Sequence, residues 1–349
     1  APAVEAALAL SRANIAAIAD DPAEPDFANT VEALERADET LGRVLGAFYS
    51  VAGADSNPAR EALQREFAPM LSAYSSEVSE NKALFARVQA VWDKHEMLDL
   101  SDEQQRVLML THRGFVRSGA QLEGTAAEKL RAAKSRLSVL GTDFVQNLLA
   151  DERAWFMPLA ADDLSGLPDF VVATAKAAGA EKDAGGPVVT LSRSLIVPFL
   201  QFSDRRDLRQ KAYEAWGARG ANGGKTDNRA IAAETLKLRE ERAKLLGYDN
   251  FADFKLETEM AGTPDAVRDL LMNVWEPAKA AALGDAAVLE RMLHADGFDG
   301  PLEPWDWRYY SEKRRKELHD LDEAELKPYL QLDRMIAASF ACANRLFGL

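Results

Sequence analysis

Residues 301–349 read PLEPWDWRYYSEKRRKELHDLDEAELKPYLQLDRMIAASFACANRLFGL, and the order of residue types within them decides how the rest of the chain is understood. Trp305-Asp306-Trp307-Arg308-Tyr309-Tyr310 is denser in aromatic rings than a surface carries at random. By itself this string suits either of two uses. It can be a packing knot entered through Pro304, in which each Trp N–H and Tyr O–H seeks a partner, or it can line a cleft. Lys313-Arg314-Arg315-Lys316 follows, flanked by Glu312 and Glu317, the pattern of a solvated helix face. A further helix is expected from near Asp322, carrying Leu326, Tyr329, Leu330 and Ile336. Cys342 sits in the apolar helical context AASFACANRLF and reads as a packed thiol rather than a nucleophile.

Upstream, hydrophobic spacing predicts a mainly α fold. Residues 1–150 read as amphipathic helical hairpins. One helix is expected over Thr30–Val51, with Val31, Leu34, Leu41, Val44, Leu45 and Phe48 on one stripe and Gly53 just past its end. Another opens at the capping box Ser101-x-x-Gln104 and runs through Val107, Leu108 and Phe115. A third begins at Thr125-x-x-Glu128, its apolar positions Leu130, Ala133, Leu137, Leu140, Phe144 and Leu148 advancing by three or four. Over 151–204 the period changes. Pro158, Gly166, Pro168, Gly185, Gly186, Pro187 and Pro198 interrupt any long helix, and Trp155–Leu159 and Pro187–Leu191 read as short strands around a helix near Pro168–Ala178. This is a small α+β insert. Residues 205–349 return to helix, with Thr263 as N-cap, Pro264 at the first helical position, and Val267, Leu270, Leu271, Val274 and Trp275 in register.

Composition bounds the function. With 47% apolar and 28% charged residues the chain is an ordinary folded protein and not a disordered tail. A net charge of −14 repels phosphate backbones, so nucleic acid is not an expected partner. A lone cysteine forbids an intrachain disulfide. No run of 18 apolar residues exists and the first twenty residues are too polar for a signal-peptide core, so neither a membrane span nor a leader is expected. The first residue is not Met, so earlier residues are expected to have been removed.

Motif searches give little catalytic machinery. His95-Glu96-Met97-Leu98-Asp99 resembles the start of a zinc helix, but such a helix needs His at i and i+4, and Asp99 takes the second place. His95 therefore reads as a helix-end or surface histidine, and His112, His294 and His319, standing singly, read as exposed ones. Gly217-Ala218-Arg219-Gly220-Ala221-Asn222-Gly223-Gly224-Lys225-Thr226 ends like a phosphate-binding loop. The required first Gly falls on Arg219, and helix rather than strand precedes it, so a helix C-cap and turn are expected. No Gly-x-Ser-x-Gly elbow is present.

Taken collinearly, PWDWRYYSEKRRKE and HDLDEAELKPYLQL, with the earlier NPAREALQREFAPML, VRSGAQL, TDFVQNLLADE, GLPDFVVATA, VTLSRSLIVPFLQFSDRRDLRQKAYEAWGARGANGG and LLGYDNFADFKLETEMAGTP, resemble the thimet-type zinc oligopeptidases, M3 peptidases, and among them the bacterial peptidyl-dipeptidases. The resemblance covers essentially all of the chain. It implies a helical ellipsoid split by a deep channel, a zinc held by a His-Glu-x-x-His helix and a downstream Glu, and hydrolysis of short unstructured peptides with release of C-terminal dipeptides. No His-Glu-x-x-His occurs here, so no catalytic or metal residue is assigned. Zinc belongs to the full-length parent, and this chain is expected to bind none and to be inactive alone. The chain is expected to be the N-terminal half: a helical domain (1–150), the α+β insert (151–204) and a helical region leading into the catalytic core (205–349). Its expected partners are the C-terminal catalytic half and short peptides, in the cytoplasm or alternatively the periplasm. Met335 to Leu349 is where the face meant for that half is expected to lie exposed. If the aromatic string faces the channel, Arg308, Tyr309 and Tyr310 line it, with Arg308 attracting a substrate carboxylate. The alternative is a non-catalytic helical protein that binds peptides or serves as a scaffold.

Overall fold

The computed structural model describes residues 1–55, 57–319 and 327–348. Among them the protein is mainly helical, with one two-stranded sheet. The chain forms two compact units, Ala1–Arg136 with Arg239–Phe254, and Leu137–Leu238 with Lys255–Leu349.

In the first unit α1 (Pro2–Ala19) buries Val4, Ala7, Leu8, Ser11, Ile15 and Ile18, a stripe advancing by three or four. The single helix expected over Thr30–Val51 is divided. A π-turn (Phe27–Glu32) closed by the reciprocal cap of Asp26 and Asn29 leads into α2 (Ala33–Ala37), and α3 (Glu39–Ala54) restarts after Asp38, with Gly53 inside it rather than beyond it. The cause is tertiary. Asn14 of α1 donates to the Ala37 carbonyl at 2.9 Å, and Asp38 accepts the Tyr74 hydroxyl at 2.5 Å. Groups that a continuous helix would align are thus engaged by other helices.

Asn57 caps α4 (Pro58–Ser79), and Asn81 caps α5 (Lys82–Trp92). The box of Ser101 and Gln104 forms as predicted at the start of α6 (Asp102–Ser118). That helix ends on Gly119 at φ +97°, where a Cβ would fall 2.2 Å from Leu130 Cδ2. Leu8, Phe67, Leu84 and Val88 anchor the core, with Phe48 edge-on to Phe67. The segment Arg239–Phe254 completes this unit: Ala243 is fully buried, and Arg117 donates to the Phe254 carbonyl at 2.7 Å while its guanidinium lies 4.0 Å from the Phe254 ring.

The long helix α7 (Gly124–Ala154) passes from the first unit into the second. Leu130, Ala133 and Leu140 of its predicted stripe are buried, while Phe144 is exposed. The insert forms as expected: β1 (Phe156–Pro158) pairs antiparallel with β2 (Val188–Thr190), Met157 opposite Val189, around α8 (Asp169–Glu181). Gly179 lets α8 approach this region closely, since a Cβ there would lie 1.8 Å from the Gly186 carbonyl oxygen. Pro198, expected to interrupt helix, lies inside α9 (Arg193–Phe202). The burial of Leu195, Ile196, Phe199 and Leu200 outweighs its missing donor, and the carbonyl that loses its partner belongs to the exposed Ser194.

There follow α10 (Arg206–Gly217), α11 (Arg229–Leu245), α12 (Phe251–Leu256), α13 (Pro264–Ala295), α14 (Pro304–His319) and α15 (Leu332–Phe347). Thr263 caps α13 with Pro264 at its first position, as predicted. Asp322 and Leu326 lie outside the described residues. Tyr329 falls in a 3-10 turn (Lys327–Tyr329), and Leu330 precedes α15. Two apolar faces stay open: Leu270, Leu271, Val274 and Trp275 on α13, and Ile336, Phe340, Leu346 and Phe347 on α15. Cys342 is exposed on α15 and not packed, because that helix buries none of its residues. Among the described residues no helix is long and apolar enough to cross a membrane.

Candidate functional site

The aromatic string opens α14 and is built around a buried carboxylate. Asp306 is fully buried. Arg206 of α10 donates to it through Nε and Nη2 at 3.0 and 2.7 Å, and Arg209, one turn on, through Nη2 at 2.9 Å. Arg209 is itself buried; it also donates to the carbonyls of Ser203 and Trp305, and its guanidinium lies 4.0 Å from the Tyr309 ring. Two guanidiniums and one carboxylate leave this cluster with a formal charge of +1, and the hydrogen bond to Asp306 raises the Arg206 pKa above its usual value.

The tyrosines are fixed in the same knot. Tyr309 donates its hydroxyl to Asp204 at 2.8 Å, and Tyr310 donates to Asp296 at 3.1 Å, where Lys313 also arrives at 2.6 Å. Burial is the first cause that holds both phenols above their usual pKa, so both remain donors at neutral pH. Their rings meet edge to face with centroids 5.1 Å apart. The tyrosine hydroxyls thus find partners as expected. The Trp305 indole N–H does not: it is buried and unpartnered.

Arg308 lies elsewhere. It is exposed and, with Trp307, borders a recess of about 820 Å3 whose other wall is Leu283, Ala286, Ala287 and Glu290 of α13, closed by Tyr213. No described residue forms a hydrogen bond or ion pair with the Arg308 guanidinium. The structure therefore brings Tyr309 and Tyr310 together in the core and sets Arg308 apart from them at an open recess. Arg206, Arg209, Asp204 and Asp296, which shape this arrangement, were not apparent in the sequence. Its only signal was Arg206 and Arg209 at i and i+3 on one face of a helix.

The basic run is not merely solvated. Lys313 pairs with Asp296 and Arg314 with Asp285, acids that α13 and its C-terminal turn bring against the run, while Arg315 pairs with Glu312 within α14 itself. The phosphate-loop resemblance resolves into a self-filled turn after α10. Asp151 accepts from the Gly220 N–H at 2.7 Å, from Asn222 and from Thr226, taking the place an anion would need. Burial opposes its charge, yet these donors keep the carboxyl below its ordinary range.

The histidines do not converge. His95 stacks on Trp92 at 4.2 Å and its Nδ1 meets the Trp92 carbonyl; His294 Nε2 meets the Gly300 carbonyl; His319 is exposed. His112 is not the exposed histidine expected. It is half-buried and also stacks on Trp92, 4.5 Å away, with Nε2 against Gln89, and burial pushes its pKa down. Among the described residues no three His, Cys, Asp or Glu side chains are grouped to hold a metal, so the donors here do not fit a zinc site.

Comparison with known proteins places this architecture. Residues 199–349, which contain α10, the exposed face of α13 and the Asp306 knot, match Peptidase family M3. Over its whole length the chain is 34% identical to dipeptidyl carboxypeptidase of Salmonella typhimurium and 33% identical to that of Escherichia coli, covering 52% of each. It is 29% identical to oligopeptidase A of Salmonella typhimurium, again over 100% of this chain and 52% of the relative. The chain spans about half the length of the curated relatives it matches. The match over the α10–α15 region and the similarity from end to end make this chain similar to peptidase family M3.

Proposed function

We propose that these residues form the channel-wall part of a zinc peptidase that hydrolyses short peptides and releases dipeptides from free C-termini. The observation that carries this reading is the similarity, along the entire chain, to two proteins named dipeptidyl carboxypeptidase. In this reading the zinc helix and its general base lie in sequence that these 349 residues do not include, and no catalytic step is assigned to the residues described. The open faces of α13 and α15 pack against that remaining sequence. Their exposed Leu271, Trp275, Phe340 and Phe347 support a partner surface more than a self-sufficient scaffold.

Arg308 receives the free carboxylate of the peptide. Its guanidinium, which no described residue pairs, stands at a recess with both apolar and acidic walls and supports this role, because an unpaired bidentate donor is suited to a carboxylate. Tyr309 and Tyr310 act as positioning residues that fix the helix from which Arg308 projects. The test is hydrolysis of blocked tetrapeptides by the complete protein. Activity on free acids, its loss on chelation and restoration by zinc, and failure on C-terminal amides are expected. Equal turnover of acids and amides would remove the dipeptide-release reading, and activity indifferent to chelators would remove the zinc. Arg308→Ala is expected to raise KM for free acids about tenfold or more, the loss of one charge-assisted contact.

A further inference from the structure

We infer that the recess beside Arg308 selects the side chain of the peptide's last residue, favouring large apolar or aromatic groups over small or acidic ones. This rests on the proposal that Arg308 holds the terminal carboxylate. Three features of the recess carry it. Leu283, Ala286, Ala287 and Glu290 follow one another at helical spacing, so α13 turns a single face to the space. Two of those four positions are alanine, and the room they leave contributes to a volume of about 820 Å3, within the range of small-ligand pockets. Leu283 and Trp307 stay substantially exposed, at 64% and 36%, which supplies apolar surface for a guest to cover.

Charge complements shape. Arg308 stands without a partner, whereas Glu290 and Glu303 also line the recess. A terminal carboxylate is drawn to the guanidinium, while a second carboxylate on the adjacent side chain meets two like charges. The occupant is therefore a free C-terminal residue with a bulky apolar side chain, and terminal Asp and Glu are disfavoured. Ala287 is exposed on the recess wall, so a larger residue there occupies the cavity without displacing the core.

The test uses the 349-residue chain and four probes: N-acetyl-Ala-Phe, its C-terminal amide, N-acetyl-Ala-Ala and N-acetyl-Ala-Asp. Binding is followed through the Trp307 indole N–H resonance, assigned with Trp307→Phe, and far-ultraviolet dichroism verifies the fold of each variant. The Phe acid is expected to bind about tenfold tighter than the Ala acid, the discrimination an apolar pocket provides, and the Asp acid weakest. Ala287→Trp should erase the Phe preference and leave the Ala acid unchanged, whereas Arg308→Ala should weaken every acid and spare the amide. Equal affinities for Phe and Ala acids, or a Phe preference that survives Ala287→Trp, would overturn side-chain selection while leaving the carboxylate role intact. An amide that binds as well as its acid would instead overturn the carboxylate role. Absence of saturable binding by any probe overturns both.

Discussion

Asp306 is the buried carboxylate that two guanidiniums share. Asp306→Ala leaves Arg209, 1% exposed, and the neighbouring Arg206 without their counter-charge. Removing one partner of a buried pair costs about 3–5 kcal/mol. Tyr310→Phe deletes one hydrogen bond and keeps the ring, for about 0.5–1.5 kcal/mol. Urea unfolding should therefore separate them clearly, with Asp306→Ala well below Tyr310→Phe in midpoint. His112 gives a pH signature. Its folded pKa lies below its ordinary 6.5, so the unfolded chain binds the proton more readily there. The stability tied to its neutral form is present above pH 6.5 and is lost as pH falls through the folded value. His112→Phe should flatten the pH dependence of the unfolding midpoint below 6.5, measured in paired urea titrations. At this scale the sequence was only partly legible. The string did not tell that Tyr309 and Tyr310 enter the core while Arg308 stays exposed, because the elements that bury them come from elsewhere in the chain. The Asp306 partners were equally hidden, because Arg206 lies 100 residues away.

Among the elements, what was local was legible. The caps at Ser101 and Thr263 rest on groups three residues apart and formed as read. The strands of the insert were bounded by Pro and Gly and also appeared in place. The break at Asp38 was decided by Asn14 and Tyr74 from other helices, and the tolerance of Pro198 by the core under α9, neither of which leaves a local mark. Close approach is similarly invisible in a sequence but sharp in its consequence at Gly179. A methyl group there meets a backbone oxygen that has no rotamer in which to yield. Gly179→Ala is expected to destabilise by about 1–3 kcal/mol and to lower the melting temperature, whereas Gly185→Ala, where nothing stands in the way of a Cβ but φ is +71°, tests backbone strain alone.

For the whole molecule, the faces of α13 and α15 set solution behaviour. Exposed Leu, Trp and Phe on two helices favour association despite a net charge of −14. The chain alone should bind hydrophobic dyes and sediment with concentration-dependent mass. Phe340→Glu with Leu346→Glu should reduce that association while leaving the melting temperature nearly unchanged, since both positions are exposed. An unaltered sedimentation profile would show that α15 is not the adhesive surface.

The first unit is discontinuous, and this matters while the polypeptide is being made. The part up to Arg136 leaves the ribosome before Ala243 and Phe254, which belong to the same compact unit and follow only with the segment Arg239–Phe254. Emergence of the 118 residues from 137 to 254 takes roughly 6–24 s at translation rates of about 5–20 residues per second. During that interval the contacts of Arg117 with Phe254 have yet to form, and a ribosome that pauses near the Phe254 codon lengthens it.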